Sequence, residues 1–177
     1  MKVIGFAGSN SKNSINKKFV NYTLNLIDSY ETELLDLNDF DIPIFSVDRE
    51  EDNGYPEKVI DFVKKIQSAD ALVVSLAEHN GAYTTVFKNL MDWCSRYELK
   101  FFKKTPMLLL STSPGGNGGG NVMELALSRL PKFDADIVSH FSLPKFDDNF
   151  NDTEGVIDDS LGEKFFIEFD KFRATLQ

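Results

Sequence analysis

Apolar positions along the chain follow two alternating rhythms. Residues 2–7 (Lys-Val-Ile-Gly-Phe-Ala) form a compact apolar run, and residues 69–76 (Ala-Asp-Ala-Leu-Val-Val-Ser-Leu) form a nearly continuous one. Runs of this kind are expected of strands covered on both sheet faces. Residues 105–111 and 136–142 repeat the character, and 31–37 (Glu-Thr-Glu-Leu-Leu-Asp-Leu) read as a shorter strand. Between these runs the spacing changes to that of helices. Phe19, Val20, Leu24 and Ile27 form a stripe within about 14–28. Pro56 suits a helix's first position because its φ is already helical, and Val59, Ile60, Val63 and Ile66 follow it. Further helices are predicted over about 85–97, from 121 to about 130, and over 161–176, where Phe165, Phe166, Phe169 and Phe172 recur.

Two stretches fit neither rhythm. Residues 38–55 carry Pro43, Gly54 and many acids, yet Phe40, Ile42, Ile44 and Phe45 give them surface to bury. They predict a long connection within one domain, of the kind often used for function or assembly. Residues 145–156 read as an acidic loop.

Strands and helices in strict alternation imply a parallel sheet with helices on both faces. Right-handed crossovers wind it into a sandwich. The expected fold is α/β: a flavodoxin-like three-layer sandwich, strand order 2-1-3-4-5, as a single domain over 1–177. In such sheets the ligand lies beyond the carboxyl ends of the strands, where the order reverses between strands one and three.

Composition narrows the partners. Net charge is −9, from 19 basic and 28 acidic residues, which argues against nucleic acid and against an anionic membrane surface. No apolar run reaches membrane-spanning length, and no signal peptide is expected because the first strand runs directly into a polar loop. Cys94 is the only cysteine, so an intrachain disulfide is impossible and a reducing cytoplasm is the expected compartment. Cys94 is read as a buried structural thiol, and the sixteen phenylalanines, mostly at helical or strand spacing, as core.

Three loops should meet at the carboxyl edge: 8–16, 77–84 and 113–120. All are rich in Gly, Asn and Ser. In the first, Gly8-Ser9-Asn10-Ser11-Lys12-Asn13-Ser14-Ile15-Asn16 joins a strand to a helix start, where free amides and the helix dipole favour an anion. The same stretch also reads as an ordinary helix cap, and the residues alone do not separate the two. A Rossmann fingerprint, a P-loop and a nucleophile elbow are all missing. Two scattered histidines and one cysteine give no transition-metal site. His140 is read as a satisfied structural histidine in a strand. A phosphate-bearing planar ligand remains, with glycines permitting its close approach.

At these residues the sequence resembles the NADPH-dependent FMN reductase family of flavin, quinone and azo-dye reductases. Gly8 to Asn16 is similar to the family pattern G-S-x-R-x-x-S-x-N. Glu78-His79-Asn80-Gly81-Ala82, followed by Phe87-Lys88-Asn89-Leu90-Met91-Asp92-Trp93, is similar to P-E-Y-N-G-S with L-K-N-x-x-D-W. Ser113-Pro114-Gly115-Gly116-Asn117-Gly118-Gly119 is similar to the flavin-edge loop. The resemblance implies that Ser9, Ser11, Ser14, Ile15 and Asn16 surround the FMN phosphate. It implies that Glu78, His79, Asn80, Gly81, Ala82 and Tyr83 line the ring and ribityl chain, and that Ser113, Pro114, Gly115, Gly116, Asn117, Gly118 and Gly119 face the pyrimidine edge. Lys88, Asn89, Asp92 and Trp93 would shape the loop and a subunit contact. Ser11 stands at the family's arginine, with Lys12 beside it. Ala77, His79 and Ala82 replace proline, tyrosine and serine.

The implied activity is hydride transfer from NADPH or NADH to bound FMN and on to a small-molecule acceptor. No catalytic side chain is assigned. A homodimer or homotetramer is implied, with 38–55 and 85–97 as contact surfaces. The alternatives are a flavodoxin-type electron carrier without reductase activity of its own, and a fold relative that has lost flavin.

Overall fold

The computed structural model describes residues 1–176. Strands β1 (Lys2–Gly8), β2 (Glu31–Leu35), β3 (Ala71–Leu76), β4 (Pro106–Thr112) and β5 (Asp136–Leu143) pair in parallel, in the order β2-β1-β3-β4-β5. The expected flavodoxin-like topology is therefore present. Helices α1 (Ile15–Asn25), α2 (Val47–Asn53), α3 (Glu57–Gln67), α4 (Thr85–Tyr97), α5 (Gly120–Arg129) and α6 (Asp159–Arg173) complete the layers.

Strand side chains alternate between two cores, as the pleat requires. Val3, Val73, Leu108 and Leu110 pack with Phe19 and Val20 of α1 and Phe165, Phe169 and Phe172 of α6. Ile4, Phe6, Leu72, Val74 and Leu109 pack with Val59, Phe62 and Val63 of α3, Leu90 and Trp93 of α4, and Val122 and Ala126 of α5. Gly5 sets how closely α1 lies on the sheet: a Cβ there would come within 2.5 Å of Val20 Cγ1. The phenylalanines build core. Phe19, for example, meets Phe141 and Phe150 edge-on, at centroid distances of 6.3 and 5.8 Å.

Three local expectations are corrected. The 38–55 stretch contains a 3-10 turn (Leu37–Phe40) and the helix α2, on which no residue is buried. Phe40 is buried and Ile42 and Phe45 pack against the core as expected, while Ile44 is 61% exposed. The segment is also fastened by α4: Asn89 Oδ1 accepts from the Phe45 amide at 2.8 Å, and Trp93 Nε1 donates to the Pro43 carbonyl at 2.8 Å. Residues 145–156 are not plain loop. They form one helical turn, Phe146–Asn149, and a small hairpin of Phe150–Asn151 with Gly155–Val156. His140 lies on β5 but is exposed, because β5 is an edge strand. Cys94 is fully buried, and burial pushes its thiol far above the usual range, so it is inert structure.

Candidate functional site

The parallel register brings three loops to one edge. Gly8 pairs with Leu76, and Leu76 with Ser111, so β1, β3 and β4 end side by side. The loops that follow them are the three singled out by composition.

The first loop folds down onto α1. The Ser14 amide donates to the Ser11 carbonyl at 3.2 Å, and the Ser11 amide to Ser9 Oγ at 3.2 Å. Ser14 is the N-cap: its Oγ accepts from the Lys17 amide at 3.1 Å, which leaves the hydroxyl proton free to donate. Ile15 and Asn16 begin the helix, where amides have no intrahelical acceptor. Lys17 pairs with Asp36. Hydrogen bonds and the Lys17 charge outweigh desolvation there and hold the Asp36 carboxyl below the usual range. Asn10, Ser11, Lys12 and Asn13 are exposed.

The second loop is a two-residue hairpin, Glu78–His79 against Ala82–Tyr83. Asn80 and Gly81 turn it with φ of 52° and 74°, the left-handed pair that Asn-Gly tolerates best. Glu78 turns away from the rim. Its Oε1 accepts from Asn121 Nδ2 at 2.9 Å and its Oε2 from the Val122 amide at 3.0 Å. It thus caps α5, whose own N-cap, Gly119, has no side chain to do so. Thr84 caps α4 and donates to the Gly8 carbonyl at 2.7 Å, joining the second loop to the first. Among the described residues the buried Tyr83 hydroxyl has no hydrogen-bond partner, and burial raises its pKa to about 12 against a smaller opposing effect of Arg129.

The third loop divides into base and rim. Gly118 and Gly119 are buried and left-handed, with φ of 59° and 78°. The Gly118 amide returns to the Gly115 carbonyl, and its own carbonyl accepts from Ser111 Oγ at 2.9 Å. A Cβ on Gly118 would meet Leu143 and Pro144 backbone at 2.8 Å. Pro114, Gly115, Gly116 and Asn117 are exposed, and a Cβ on Gly116 would meet nothing within 4 Å. That open face leaves room for a planar ligand against backbone. Among the described residues, the amides of Gly115, Gly116 and Asn117 have no protein acceptor. The chain after β5 braces this loop: the Lys145 and Phe146 amides donate to the Gly115 and Ser113 carbonyls.

Most singled-out residues thus gather at one edge, in two roles. Ser9, Ser11, His79, Asn80, Gly81 and 114–117 form the rim, while Ser14, Asn16, Gly118 and Gly119 belong to the buried base. Sequence reasoning missed Ser75, Thr84, Ser111 and Thr112, which are also buried polar members of that base. Their signal was present as polar residues interrupting or ending apolar strands, and as a threonine just before a helix. Among the described residues no cluster of His, Cys, Asp and Glu could hold a metal ion, and no helix is long and apolar enough to cross a membrane.

A doubly wound parallel sheet with three loops meeting at its switch point is the architecture in which α/β proteins place a ligand beyond the carboxyl ends of the strands. The profile of the NADPH-dependent FMN reductase family matches residues 1–148, and the chain belongs to that family of oxidoreductases. It is 33% identical over 122 residues to an uncharacterised protein of Mycoplasma pneumoniae, covering 66% of this chain and 71% of that one. It is 32% identical over 124 residues to an NAD(P)H:quinone oxidoreductase of Solanum tuberosum, covering 68% of this chain and 62% of that one. The fold is similar to that of FerB, a flavoenzyme NAD(P)H:(acceptor) oxidoreductase from Paracoccus denitrificans, with a TM-score of 0.73, 24% identity and 98% of each chain covered.

Proposed function

We propose that the chain is one FMN-binding domain that takes hydride from NADPH or NADH and reduces a small-molecule acceptor of the quinone, flavin or azo class. The observation that carries this reading is the union of three Gly-, Asn- and Ser-rich loops at one edge of the sheet. They present free amides and open glycine faces over a polar base that is already hydrogen-bonded.

FMN, when bound, supplies the two-electron relay between donor and acceptor. The chain supplies position and field. Ser9, Ser11 and the Ser14 hydroxyl, with the Ile15 and Asn16 amides, suit a phosphate at the start of α1. This arrangement needs little formal positive charge because the helix dipole and amides provide it. His79 to Tyr83 and Ser113 to Asn117 suit the ring system. Amides at 115–117 oriented toward an electron-rich edge would stabilise charge that develops on reduction. No side chain is assigned as acid or base.

The working unit is read as a homodimer or homotetramer in the cytoplasm. The support is on one face. Helix α2, on which no residue is fully buried, carries the exposed Asp48, Glu51 and Asp52. Beyond α4 lies an apolar groove of about 500 Å³ lined by Tyr83, Met91, Leu125 and Phe133, with Arg129 and Lys132 at its rim. A face acidic at one end and basic at the other can pair with itself across a two-fold axis.

The deciding experiment is an absorbance titration of the purified protein with FMN, followed by anaerobic NADPH and, separately, NADH. A bound flavin that bleaches rapidly with either donor is the expected result. Binding without bleaching would make the protein an electron carrier, and no quenching of FMN fluorescence would overturn the flavin reading.

A further inference from the structure

Asn16 is 2% exposed and both ends of its carboxamide are occupied. Its Oδ1 accepts from Ser75 Oγ at 2.7 Å and from the Thr112 amide at 3.1 Å, and its Nδ2 donates to the Thr112 carbonyl at 3.2 Å. Thr112 is therefore gripped by its N–H and its C=O together. It is the last residue of β4, where the third loop departs. The β3–β4 ladder stops one residue earlier, at Leu76 and Ser111. The Asn16 side chain thus takes the place of the next rung, reaching across from the first turn of α1. The chain of bonds continues, because Thr112 Oγ1 donates to the Leu143 carbonyl at 2.7 Å at the end of β5.

Only a side chain that both donates and accepts at this reach can do this. Aspartate would set a carboxylate oxygen against the Thr112 carbonyl and bury a charge. Serine is too short to span both groups. The two bonds to Oδ1 fill its acceptor directions, and one of the two Nδ2 hydrogens is committed to the Thr112 carbonyl.

We propose that Asn16 is a positioning residue: its side chain locks the third loop in register with the first, and its backbone amide serves the phosphate. This rests on the flavin reading above and deepens it. A direct phosphate contact and a loop lock predict different ligand dependence. Riboflavin has the ring and ribityl chain of FMN but no phosphate. Loss of a phosphate contact would weaken FMN and spare riboflavin. Loss of the lock would disturb the ring-facing loop and weaken both.

The test compares Asn16→Ala and Asn16→Asp with Thr23→Val. Thr23 is buried on the same helix and its hydroxyl donates to the Phe19 carbonyl at 2.8 Å, away from the loops. Binding of FMN and of riboflavin is followed by fluorescence quenching, and the bound-flavin spectrum is recorded. Both Asn16 variants should weaken both ligands by about tenfold or more, the scale of one well-made buried hydrogen bond, and should shift the bound spectrum. Thr23→Val should leave both affinities within about twofold. FMN weakened with riboflavin spared overturns the proposal, as does no change in either. Amide exchange in the ligand-free wild type gives a readout that survives a variant's failure to fold. The Thr112 amide should be protected without flavin, and fast exchange there overturns the lock. If the wild type binds neither flavin, the functional reading fails, while Thr112 protection still reports on the lock separately.

Discussion

At the amino edge of the sheet, strands are tied by charge. Lys2 Nζ lies 2.7 Å from Glu33 and 3.6 Å from Glu31, Lys65 reaches Glu33 at 2.6 Å, and the Lys2 amide donates to Asp70 at 2.7 Å. At the carboxyl edge the base of the cradle is tied by neutral groups: Asn16, Ser75, Thr84, Ser111 and Thr112, all buried. Ion pairs at a wet surface contribute little and are screened by salt. Buried neutral bonds are costly to break, and they place no cation or anion among the loop amides. The difference suits the two ends to different work. The amino edge only has to hold together. On the flavin reading proposed above, the carboxyl edge has to stay rigid while presenting a positive field from dipoles to an anion, in a protein of net charge −9.

The comparison can be broken by substitution at either edge. The largest effect is expected for Gly118→Ala. Its φ of 59° and the 2.8 Å approach of a Cβ to the Leu143 and Pro144 backbone should cost about 2–4 kcal/mol. Thermal or urea unfolding measures that loss, and FMN titration should show binding lost with it. Next is Thr84→Val, which strips the α4 cap and leaves the Gly8 carbonyl without its donor. A loss of about 1–2 kcal/mol is expected, and Thr84→Ser should restore most of it. A fully stable Thr84→Val would show that the edges do not differ in the way argued.

Glu78→Gln should cost about 0.5–1 kcal/mol, because the two bonds its carboxylate accepts at the start of α5 lose their charge. Urea unfolding at two salt concentrations would separate the dipole contribution from the hydrogen bond. The smallest effect belongs to the amino edge. Glu33→Gln should change stability by about 0.5 kcal/mol or less, fading in high salt. A loss as large as that of Thr84→Val would overturn the contrast.

The same edge sets a pH dependence. Hydrogen bonds from Lys2 and then Lys65 hold the Glu33 carboxyl below its usual range. Its contribution is therefore complete above the unfolded carboxylate pKa of 4.5 and is lost as pH falls through the lower folded value. Lys2 is raised chiefly by its hydrogen bond to Glu33, so its contribution is complete below the unfolded value of 10.5 and lost as pH climbs through the folded one. In Glu33→Gln both limbs of the stability–pH curve should flatten. Urea midpoints measured across acid and alkaline pH would show it.

Much of this could be read before any coordinates. Element order, strand order and the meeting of three loops follow from local periodicity and from the chirality of crossovers. Loop composition marked the edge at which the three loops gather, while the hairpin turned by Asn80-Gly81 within the second loop was not read from the sequence. What was not legible is which polar groups form the rim and which the base. Asn16 and Thr112 are 96 residues apart, and Glu78 serves a helix 44 residues away. Periodicity reports which way a side chain faces over a few residues. It does not report which distant backbone group will be waiting there. The same limit hid α2, which has no buried stripe to give it away, and the exposure of His140, which depends on β5 having no neighbour on one side. The sequence alone determined the layers and the edge at which chemistry gathers, because hydrophobic spacing is a local property. Only the tertiary structure decided that part of the expected ligand cradle is spent holding the loops together, because a buried polar group must find a partner and packing chooses which.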